Sequence, residues 1–326
     1  MRFFQKARRH VLVGAALLAA SPVLAQSFMQ SARPLPEGRG FHGAAVLGDY
    51  FYVFGGQVSG PDSTDSTNEQ KTNSVLFAEV EPNGALGEWR ENTPLPESRF
   101  YVSNSTLVLN DVVYIIGGST SNLGGDRFNN AIWSKPLPNG KLTPWQTSAP
   151  WGEQGMSTVT AVATPGHIHV IGGLTKSEAV SAVWTNPVSA DGSMSRWEPG
   201  PSLPFPVWFH HAGVVAGRVY VWGGIPYGDS AGAPDQVSPY VLSSPILSSG
   251  RLGPWRRENS VLSYPFYGAA TAVAGNYLMS FIPRYTGAQS GSEVWFAQVG
   301  PGGVGQWQYR QSNVAHKKYH AIAPDY

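Results

Sequence analysis

The sequence contains no cysteine. A chain without thiols cannot form disulfides, thiolate zinc sites or a cysteine nucleophile, and it cannot carry a lipid-anchored cysteine behind a leader. An oxidising compartment is compatible with such a chain, but it is not required by it. The absence of cysteine therefore excludes these chemistries, but it determines neither the fold nor the location of the protein.

The chain also lacks a large excess of either charge. Its 22 Lys+Arg and 21 Asp+Glu residues give a formal net charge of +1. Four basic residues lie within the first nine, so the rest of the chain carries 18 Lys+Arg against 21 Asp+Glu, a formal charge of −3. A mildly acidic domain has no electrostatic reason to hold a phosphate backbone. We therefore expect no nucleic-acid partner.

Long hydrophobic runs are absent except at the N-terminus, where residues 1–25 have the layout of a secretory signal peptide. Basic residues precede the apolar run Val11–Ala20, and Val23-Leu24-Ala25 precedes the expected cleavage site before Gln26. The apolar run is too short to span a membrane. We predict a single domain over 26–326 that is periplasmic or secreted and has no transmembrane segment; Arg8-Arg9 leaves a twin-arginine route open.

What the sequence has in abundance is glycine, proline and tryptophan, with 38, 26 and 11 residues respectively. Glycine and proline disfavour helices, whereas tryptophan and other large apolar residues favour half-buried strands. No window shows a sustained apolar stripe with a helical period of 3.6 residues. The composition therefore predicts an all-β chain.

An internal repeat runs through the chain, and tryptophan marks it. Each repeat tryptophan lies five residues after the glycine of a tight-turn pair such as Asn83-Gly84 or Asn139-Gly140, which favours a two-residue hairpin. A second hairpin precedes the first in each unit, and in four units its second strand ends in a glycine pair, as at Gly55-Gly56. The spacing of 52 to 58 residues is set by Trp89, Trp145, Trp197, Trp255 and Trp307.

Four strands per unit, a glycine pair after the second strand and a tryptophan at the fourth resemble the kelch repeat. The resemblance implies a β-propeller of the exported bacterial kelch-like kind. The number of units predicts five complete four-stranded blades, because an unfinished blade would expose unpaired strand edges. An alternative is a six-bladed ring with an incomplete last blade, because the pattern that leads into a first strand occurs a sixth time near the C-terminus. Met29 takes the tryptophan position at the N-terminal end of the pattern.

Propeller topology places the irregular loops together. The loops that enter the first strand and follow the second strand share one rim, and the tight turns share the other. We call the former the long-loop rim. Variable loops on a rigid scaffold are where function usually resides. The longest loops of this rim are Gln57–Asn73, Ser119–Asn130, Ile225–Pro239 and Arg284–Ser292.

Cationic and aromatic residues recur at fixed offsets from the repeat tryptophans, where they lead into the first strands. Cations beside aromatic rings suit a carboxylated or neutral sugar, since arginine binds a carboxylate through two N–H groups. An alternative interpretation gives the arginines hydrogen bonds to loop carbonyls and places the aromatic rings between blades. The predicted ligand-binding residues are Arg39, His42, Arg99, Tyr101, His210, Tyr267, Lys317 and His320.

These residues support two hypotheses for function. The first is a non-catalytic binding or interaction propeller with a glycan or protein ligand at the long-loop rim. The second is a sugar-acid enzyme, an isomerase or lyase such as an epimerase or mutarotase, that uses Arg39, Arg99, Tyr101 and His210. The resemblance extends to exported sialic acid epimerases, but no catalytic residue could be matched.

The sequence predicts no cofactor and no metal site. His42, His210 and His320 share one repeat offset, and three imidazoles could bind a divalent metal, but no HExxH motif or carboxylate partner accompanies them.

Overall fold

The computed structural model describes residues 33–58, 70–120, 125–226, 238–262, 269–286 and 289–312. In this part of the chain the regular structure is almost entirely strand, with one short 3₁₀ helix at Ser103–Ser105. None of the helical structure described there is long and apolar enough to cross a membrane.

The described ranges contain twenty-six strands, β1 to β26. In order they are Arg39–Gly40, Gly43–Leu47, Tyr50–Phe54, Gln57–Val58, Gln70–Lys71, Val75–Glu79, Arg90–Glu91, Thr106–Leu109, Val112–Ile116, Ala131–Ser134, Gln146–Thr147, Thr160–Thr164, His167–Ile171, Val183–Pro187, Glu198–Pro199, Val207–Trp208, His211–Val215, Arg218–Trp222, Ile225–Pro226, Tyr240–Pro245, Arg256–Val261, Ala270–Ala274, Tyr277–Thr286, Gln289–Gly300, Gly303–Val304 and Gln308–Ser312.

The longer strands form five antiparallel sheets, which are the blades of a β-propeller. Blades 1 to 4 have the strand orders β2-β3-β6-β7, β8-β9-β10-β11, β12-β13-β14-β15 and β17-β18-β20-β21. Blade 5 has the order β22-β23-β24-β26, with β25 paired to the far end of β24. The prediction of five four-stranded blades is confirmed. The C-terminal residues that suggested an incomplete sixth blade lie outside the described residues.

The tight turns form where the sequence predicts them. Asn110 and Asp111 join β8 to β9, and both have positive φ angles, 54° and 57°. Two successive left-handed residues match the right-handed twist of the flanking strands, and Asn and Asp tolerate that conformation better than most side chains. The turn residues therefore fix the register of the hairpin.

The first strands of successive blades contact one another in the series β2, β8, β12, β17 and β22, so they surround the axis of the propeller. We call them the inner strands. The blades pack face to face through apolar clusters: Tyr52 and Phe54 of blade 1 meet Val113 and Ile115 of blade 2. Equivalent clusters join blades 2 to 3, 3 to 4 and 4 to 5.

Each repeat tryptophan immediately precedes a fourth strand, and the five lie in five different sheets. The indole N–H groups reach back to the previous blade: Trp145 donates to the Thr93 carbonyl at 3.3 Å and Trp255 to the Pro201 carbonyl at 2.8 Å. Trp145, Trp197 and Trp255 thus join neighbouring blades by a hydrogen bond as well as by apolar burial. For the buried Trp307 indole N–H, no such bond is present among the described residues.

Hydrogen bonds on the tight-turn rim also join neighbouring blades. The Tyr52 hydroxyl donates to the Gly140 carbonyl of blade 2 at 2.8 Å, and the Tyr114 hydroxyl donates to Gly192 of blade 3 at 2.6 Å. Burial raises the pKa of Tyr52 to about 12, so the hydroxyl stays protonated and can donate.

Candidate binding site at the long-loop rim

The glycine pair after the second strand lets the next blade approach closely. Gly56 donates its N–H to the Arg99 carbonyl of blade 2 at 2.8 Å. A Cβ atom at Gly55 would lie 2.5 Å from that same carbonyl oxygen, and Gly55 has a φ of 55°, which favours glycine. The glycine pair therefore holds the backbone of one residue of the next blade, which lies just before the inner strand of that blade. We call this residue the lead-in residue.

Arg39 is the lead-in residue of blade 1, and its side chain is completely buried. It donates to the Gly55 carbonyl at 3.1 Å and to the Ser74 hydroxyl at 2.8 Å, and it forms a 2.9 Å ion pair with Glu37. These bonds tie the guanidinium to its own blade, as the structural interpretation of the sequence expected.

Arg99 of blade 2 repeats this arrangement. It donates to the Gly117 carbonyl at 3.0 Å and to the Asn130 side-chain oxygen at 2.6 Å, and its guanidinium lies 3.8 Å from the centre of the Phe128 ring. Burial lowers the pKa of Arg99 to about 10. Arg39 and Arg99 do not converge on the axis, and ligand binding by either stays a prediction to which this geometry lends no support.

The two predicted histidines that the structure describes are buried. His42 and His210 are 3% and 0% exposed, and burial lowers their pKa values to about 4 and about 3, so both imidazoles are neutral near pH 7. Across the seam, a Cβ atom at Gly172 of blade 3 would lie 2.8 Å from the His210 ring. Both side chains are therefore part of the packing beneath the rim.

The predicted residues Tyr267, Lys317 and His320 lie outside the described residues. Within those that are described, no three His, Asp or Glu side chains come together as a metal site.

Tyr101 has a different position, and it belongs to a ring whose other members were not among the predicted ligand-binding residues. It lies between the strand pairing at the rim and the inner strand of blade 2, with a left-handed backbone at a φ of 60°. The corresponding residues of blades 1, 3 and 4 are left-handed too. We call these residues, which have φ angles of 53° to 60°, the axial ring: Phe41, Tyr101, Thr158 and Phe209.

A left-handed conformation costs a residue with a Cβ atom about 1–2 kcal/mol, and glycine would avoid the cost. None of the four axial-ring residues is glycine, and two are phenylalanine. In a regular strand, successive side chains point to opposite faces. The left-handed conformation takes each axial-ring residue out of this alternation, although its neighbours, such as Gly40 and His42, are buried. Strain of this kind concentrates at sites where the surroundings hold a functional side chain in place.

The aromatic members of the axial ring touch one another across blades. The rings of Phe41 and Tyr101 are 4.6 Å apart, those of Tyr101 and Phe209 are 5.5 Å apart, and both pairs are edge-to-face. Phe41 and Phe209 are half-buried, and Tyr101 is 7% exposed. The rings therefore close most of the channel mouth and leave a shallow depression above it.

The depression brings together residues of four blades around a cavity of about 10 Å³, roughly the space that one water molecule needs. Its described lining contains no carboxylate, imidazole, amine or guanidinium; the polar groups are hydroxyls and one carboxamide. Asn104 is held by a 3.3 Å bond to the His210 carbonyl and lies 3.2 Å from the His211 ring. The lining is Phe41, Tyr101, Ser103, Asn104, Thr158, Val159 and Phe209.

Arg127 is a cation of this rim that the repeat offsets missed, because it lies in the loop after the glycine pair of blade 2. It donates to the Ser157 hydroxyl at 3.1 Å and to the Gly125 carbonyl at 3.3 Å, and it is half-buried. Burial lowers its pKa, while nearby Tyr101 has a smaller, opposite effect. Its loop approaches blade 3 so closely that a Cβ atom at Gly155 would overlap the Arg127 carbonyl.

Comparison with known proteins supports the repeat assignment. No family model matches the chain. It is 26% identical to beta-scruin of Limulus polyphemus over 196 residues, which are 58% of this chain and 19% of that protein. It is 27% identical over 244 residues to kelch repeat and BTB domain-containing protein 12 of Danio rerio, covering 70% of this chain and 34% of that one. The chain is a kelch-repeat β-propeller.

Human kelch-like protein 33 is similarly related to this kelch propeller, with 26% identity over 138 residues, which are 42% of this chain and 24% of that protein. The chain thus spans about a third or less of the length of these relatives. Among solved structures, that of YjhT superposes with a TM-score of 0.63 over 83% of this chain and 84% of the other, at 16% identity. That likeness concerns the fold alone.

Proposed function

We propose that this kelch propeller is an exported interaction module that binds a protein ligand at the long-loop rim, with the axial ring at the centre of the contact. The observation that carries the proposal is the axial ring itself. Four strained residues from four blades line one shallow depression on the axis, and three of them are aromatic.

The chemistry of the depression favours a protein ligand. Protein interfaces have an apolar centre from which charged residues are depleted, a polar rim, and binding energy concentrated in a few aromatic or arginine side chains. Here an uncharged aromatic centre is bordered by Ser103, Asn104 and the half-buried Arg127. A side chain of the ligand would pack on Phe41 and Phe209. The long loops of the propeller would contact the surface of the ligand around that side chain.

A sugar-acid enzyme finds less support in the geometry. Such an enzyme needs acid and base groups that converge on a concave pocket. Three of the four groups considered for that role, Arg39, Arg99 and His210, are buried and lie outside the lining of the depression. Tyr101 alone reaches it, and one phenol does not supply both proton transfers that an epimerisation requires.

Export is part of the proposal and rests on the signal-peptide layout of residues 1–25. N-terminal sequencing of protein recovered from the periplasm or medium should begin at Gln26 or within a residue or two of it. A mature chain that retains Val11–Ala20 would contradict export by cleavage.

The binding proposal can be tested with a displayed library of random peptides, run in parallel with a glycan array. We expect the wild-type propeller to select peptides with a shared apolar residue, and Phe209→Ala to weaken the selected peptides at least about tenfold, or about 1.4 kcal/mol. Leu247→Ala is the matched control, because Leu247 is 46% exposed and lies on the tight-turn rim.

Equal binding by Phe209→Ala and the wild type would overturn the axial ring as the binding centre. Binding of glycans without any enriched peptide would replace the protein ligand by a carbohydrate.

A further inference from the structure

Two histidines lie at the interface between blades 3 and 4, near the tight-turn rim. His167 and His169 are the first and third residues of the second strand of blade 3. The next blade approaches them closely, since a Cβ atom at Gly250 of blade 4 would lie 2.6 Å from the Nδ1 atom of His167. The side chain of His169 is completely buried. We call this interface the histidine seam.

His169 takes the place of a tyrosine that joins earlier blades. The third residue of the second strand is Tyr52 in blade 1 and Tyr114 in blade 2, and each donates to a glycine carbonyl of the following blade. Burial raises the pKa of both tyrosines, so both hydroxyls keep their proton in neutral and acidic solution. An imidazole, in contrast, titrates in mildly acidic solution. We call the interfaces that Tyr52 and Tyr114 join the tyrosine seams.

The hydrogen bonds of His169 require its neutral form. The Thr164 hydroxyl donates to the Gly250 carbonyl at 2.6 Å, so it accepts from His169 Nε2, which lies 2.8 Å away. His169 Nδ1 lies 2.9 Å from the Thr185 hydroxyl and accepts its hydrogen. A proton on Nδ1 would displace that hydrogen and leave a charge on a buried ring whose described hydrogen-bond partners are all uncharged.

The charged groups that face His169 do not offset such a charge. His167, on the same strand, is stacked on it with the ring centres 6.1 Å apart. Arg251 approaches from blade 4, and its guanidinium is paired across the seam with Glu198 of blade 3. Burial is the main reason that the pKa of His169 is lowered to about 4; the Gly250 carbonyl opposes the shift, and His167 and Arg251 add to it.

We propose that the histidine seam is an acid-sensitive opening point of the propeller, with His169 as its trigger. When the seam opens, His169 gains water and binds a proton with the ordinary pKa of about 6.5, whereas in the closed seam its pKa is about 4. The open form therefore binds more protons between these values. Closure is strongest above pH 6.5 and weakens as the pH falls towards 4, while the tyrosine seams stay closed.

Opening of the histidine seam would also affect the depression at the other rim. Thr158 of blade 3 and Phe209 of blade 4 line the depression from the two sides of the seam. Ligand affinity would then fall in acid. This consequence rests on the function proposed above, whereas the opening itself does not and can be measured without a ligand.

Thiol labelling of the full chain, which has no cysteine of its own, measures the opening. Leu252→Cys places a thiol in the histidine seam, where Leu252 is 5% exposed. Leu142→Cys is the matched control in a tyrosine seam, at the equivalent residue of blade 2, which is 3% exposed. With a dithiodipyridine, which reacts with thiols in acid, we expect the labelling rate of Leu252→Cys relative to Leu142→Cys to rise at least about tenfold from pH 7 to pH 5.

Two variants identify the trigger. His169→Gln keeps one donor and one acceptor but takes no proton, so the rise should be at least about threefold smaller. The remainder is expected from His210, which is buried against Gly172 at the same seam. His169→Tyr combined with Thr164→Leu gives blade 3 the side chains that blade 2 has at these positions, and it should reduce the rise in the same way.

A relative rate that does not depend on pH would overturn the proposal, and so would equal acceleration at both thiols, which would mean that the whole propeller unfolds in acid. A rise of the same size in His169→Gln and in the double variant would overturn His169 as the trigger.

Discussion

The lead-in residues and the axial ring are two residues apart in the chain and have opposite environments. Arg39 and Arg99 are charged, yet they are buried, and their guanidinium groups donate hydrogen bonds to carbonyl and side-chain oxygens of their own blades. Phe41 and Tyr101 carry no charge, yet a left-handed backbone places them at the depression on the axis. At this rim the buried arginines hold the blades, and the aromatic side chains face the depression that we propose as the ligand site.

The largest expected effect comes from removing a buried lead-in cation. Arg99→Ala leaves Gly117 O and Asn130 without their donor and removes the contact with Phe128, so we expect a loss of about 3 kcal/mol in the free energy of unfolding. Urea unfolding at pH 7 measures it. Arg99→Lys should restore less than half of the loss, because an ammonium cannot reproduce a planar guanidinium fork.

A full rescue by lysine, or a loss below about 0.5 kcal/mol, would show that Arg99 is not structural and would return it to the list of ligand-binding candidates.

A smaller effect is expected from the buried histidines when the pH is lowered. Burial holds the pKa of His210 at about 3, whereas the unfolded chain has the ordinary value near 6.5, so the unfolded state binds more protons below that value. Stability contributed by the neutral imidazole is therefore complete above pH 6.5 and is lost as the pH falls towards 3. Between pH 6 and pH 5 the loss is about 1 kcal/mol for one histidine.

Urea unfolding at pH 6 and pH 5 checks this, with His210→Gln as the comparison. The variant should lose less stability than the wild type over this interval, by about the contribution of one histidine. Identical pH dependence in the two proteins would mean that His210 is accessible to protons in the folded state and belongs to the displayed surface.

The smallest expected change in the free energy of unfolding is a gain, whereas the two changes above are losses. Thr158 is β-branched and left-handed, which is a strained combination, and glycine would relieve it. We expect Thr158→Gly to raise the free energy of unfolding by up to about 1 kcal/mol, less the loss of the hydroxyl bond to the Ser157 carbonyl. Urea unfolding against the wild type tests this, and a loss of more than about 1 kcal/mol would show that the conformation is not strained.

Much of the fold could be predicted from the sequence, because the repeat exposes it. Tryptophan spacing and glycine pairs mark features that most of the blades share: an inter-blade hydrogen bond and a close approach of backbones. The same repetition does not show whether Arg39 and Arg99 bind a ligand or hold the loops of their own blades. A cation at a fixed offset is equally visible whether it faces a ligand or a loop carbonyl, and only its hydrogen bonds distinguish the two.

The axial ring was harder to predict for two physical reasons. A left-handed residue breaks the alternation from which strand faces are inferred, so Phe41 and Phe209 could not be placed at the depression. Blade 3 also carries one extra residue before its inner strand, so the offset that finds Tyr101 finds Ser157 in place of Thr158. Blade 5 departs further, with Phe281-Ile282 where the sequence pattern expects the glycine pair.

We propose that the axial ring binds the ligand and that the lead-in residues hold the blades together. Phe209→Ala and Arg99→Ala, measured side by side, separate these two roles: for each variant we would determine the dissociation constant for one selected peptide and the free energy of unfolding. We predict that Phe209→Ala weakens binding at least about tenfold and costs less than about 2 kcal/mol of stability, whereas Arg99→Ala costs about 3 kcal/mol and leaves the affinity of the folded protein within about threefold. The reverse pattern, with binding lost in Arg99→Ala and intact in Phe209→Ala, would show that the lead-in arginine binds the ligand and that the axial ring does not.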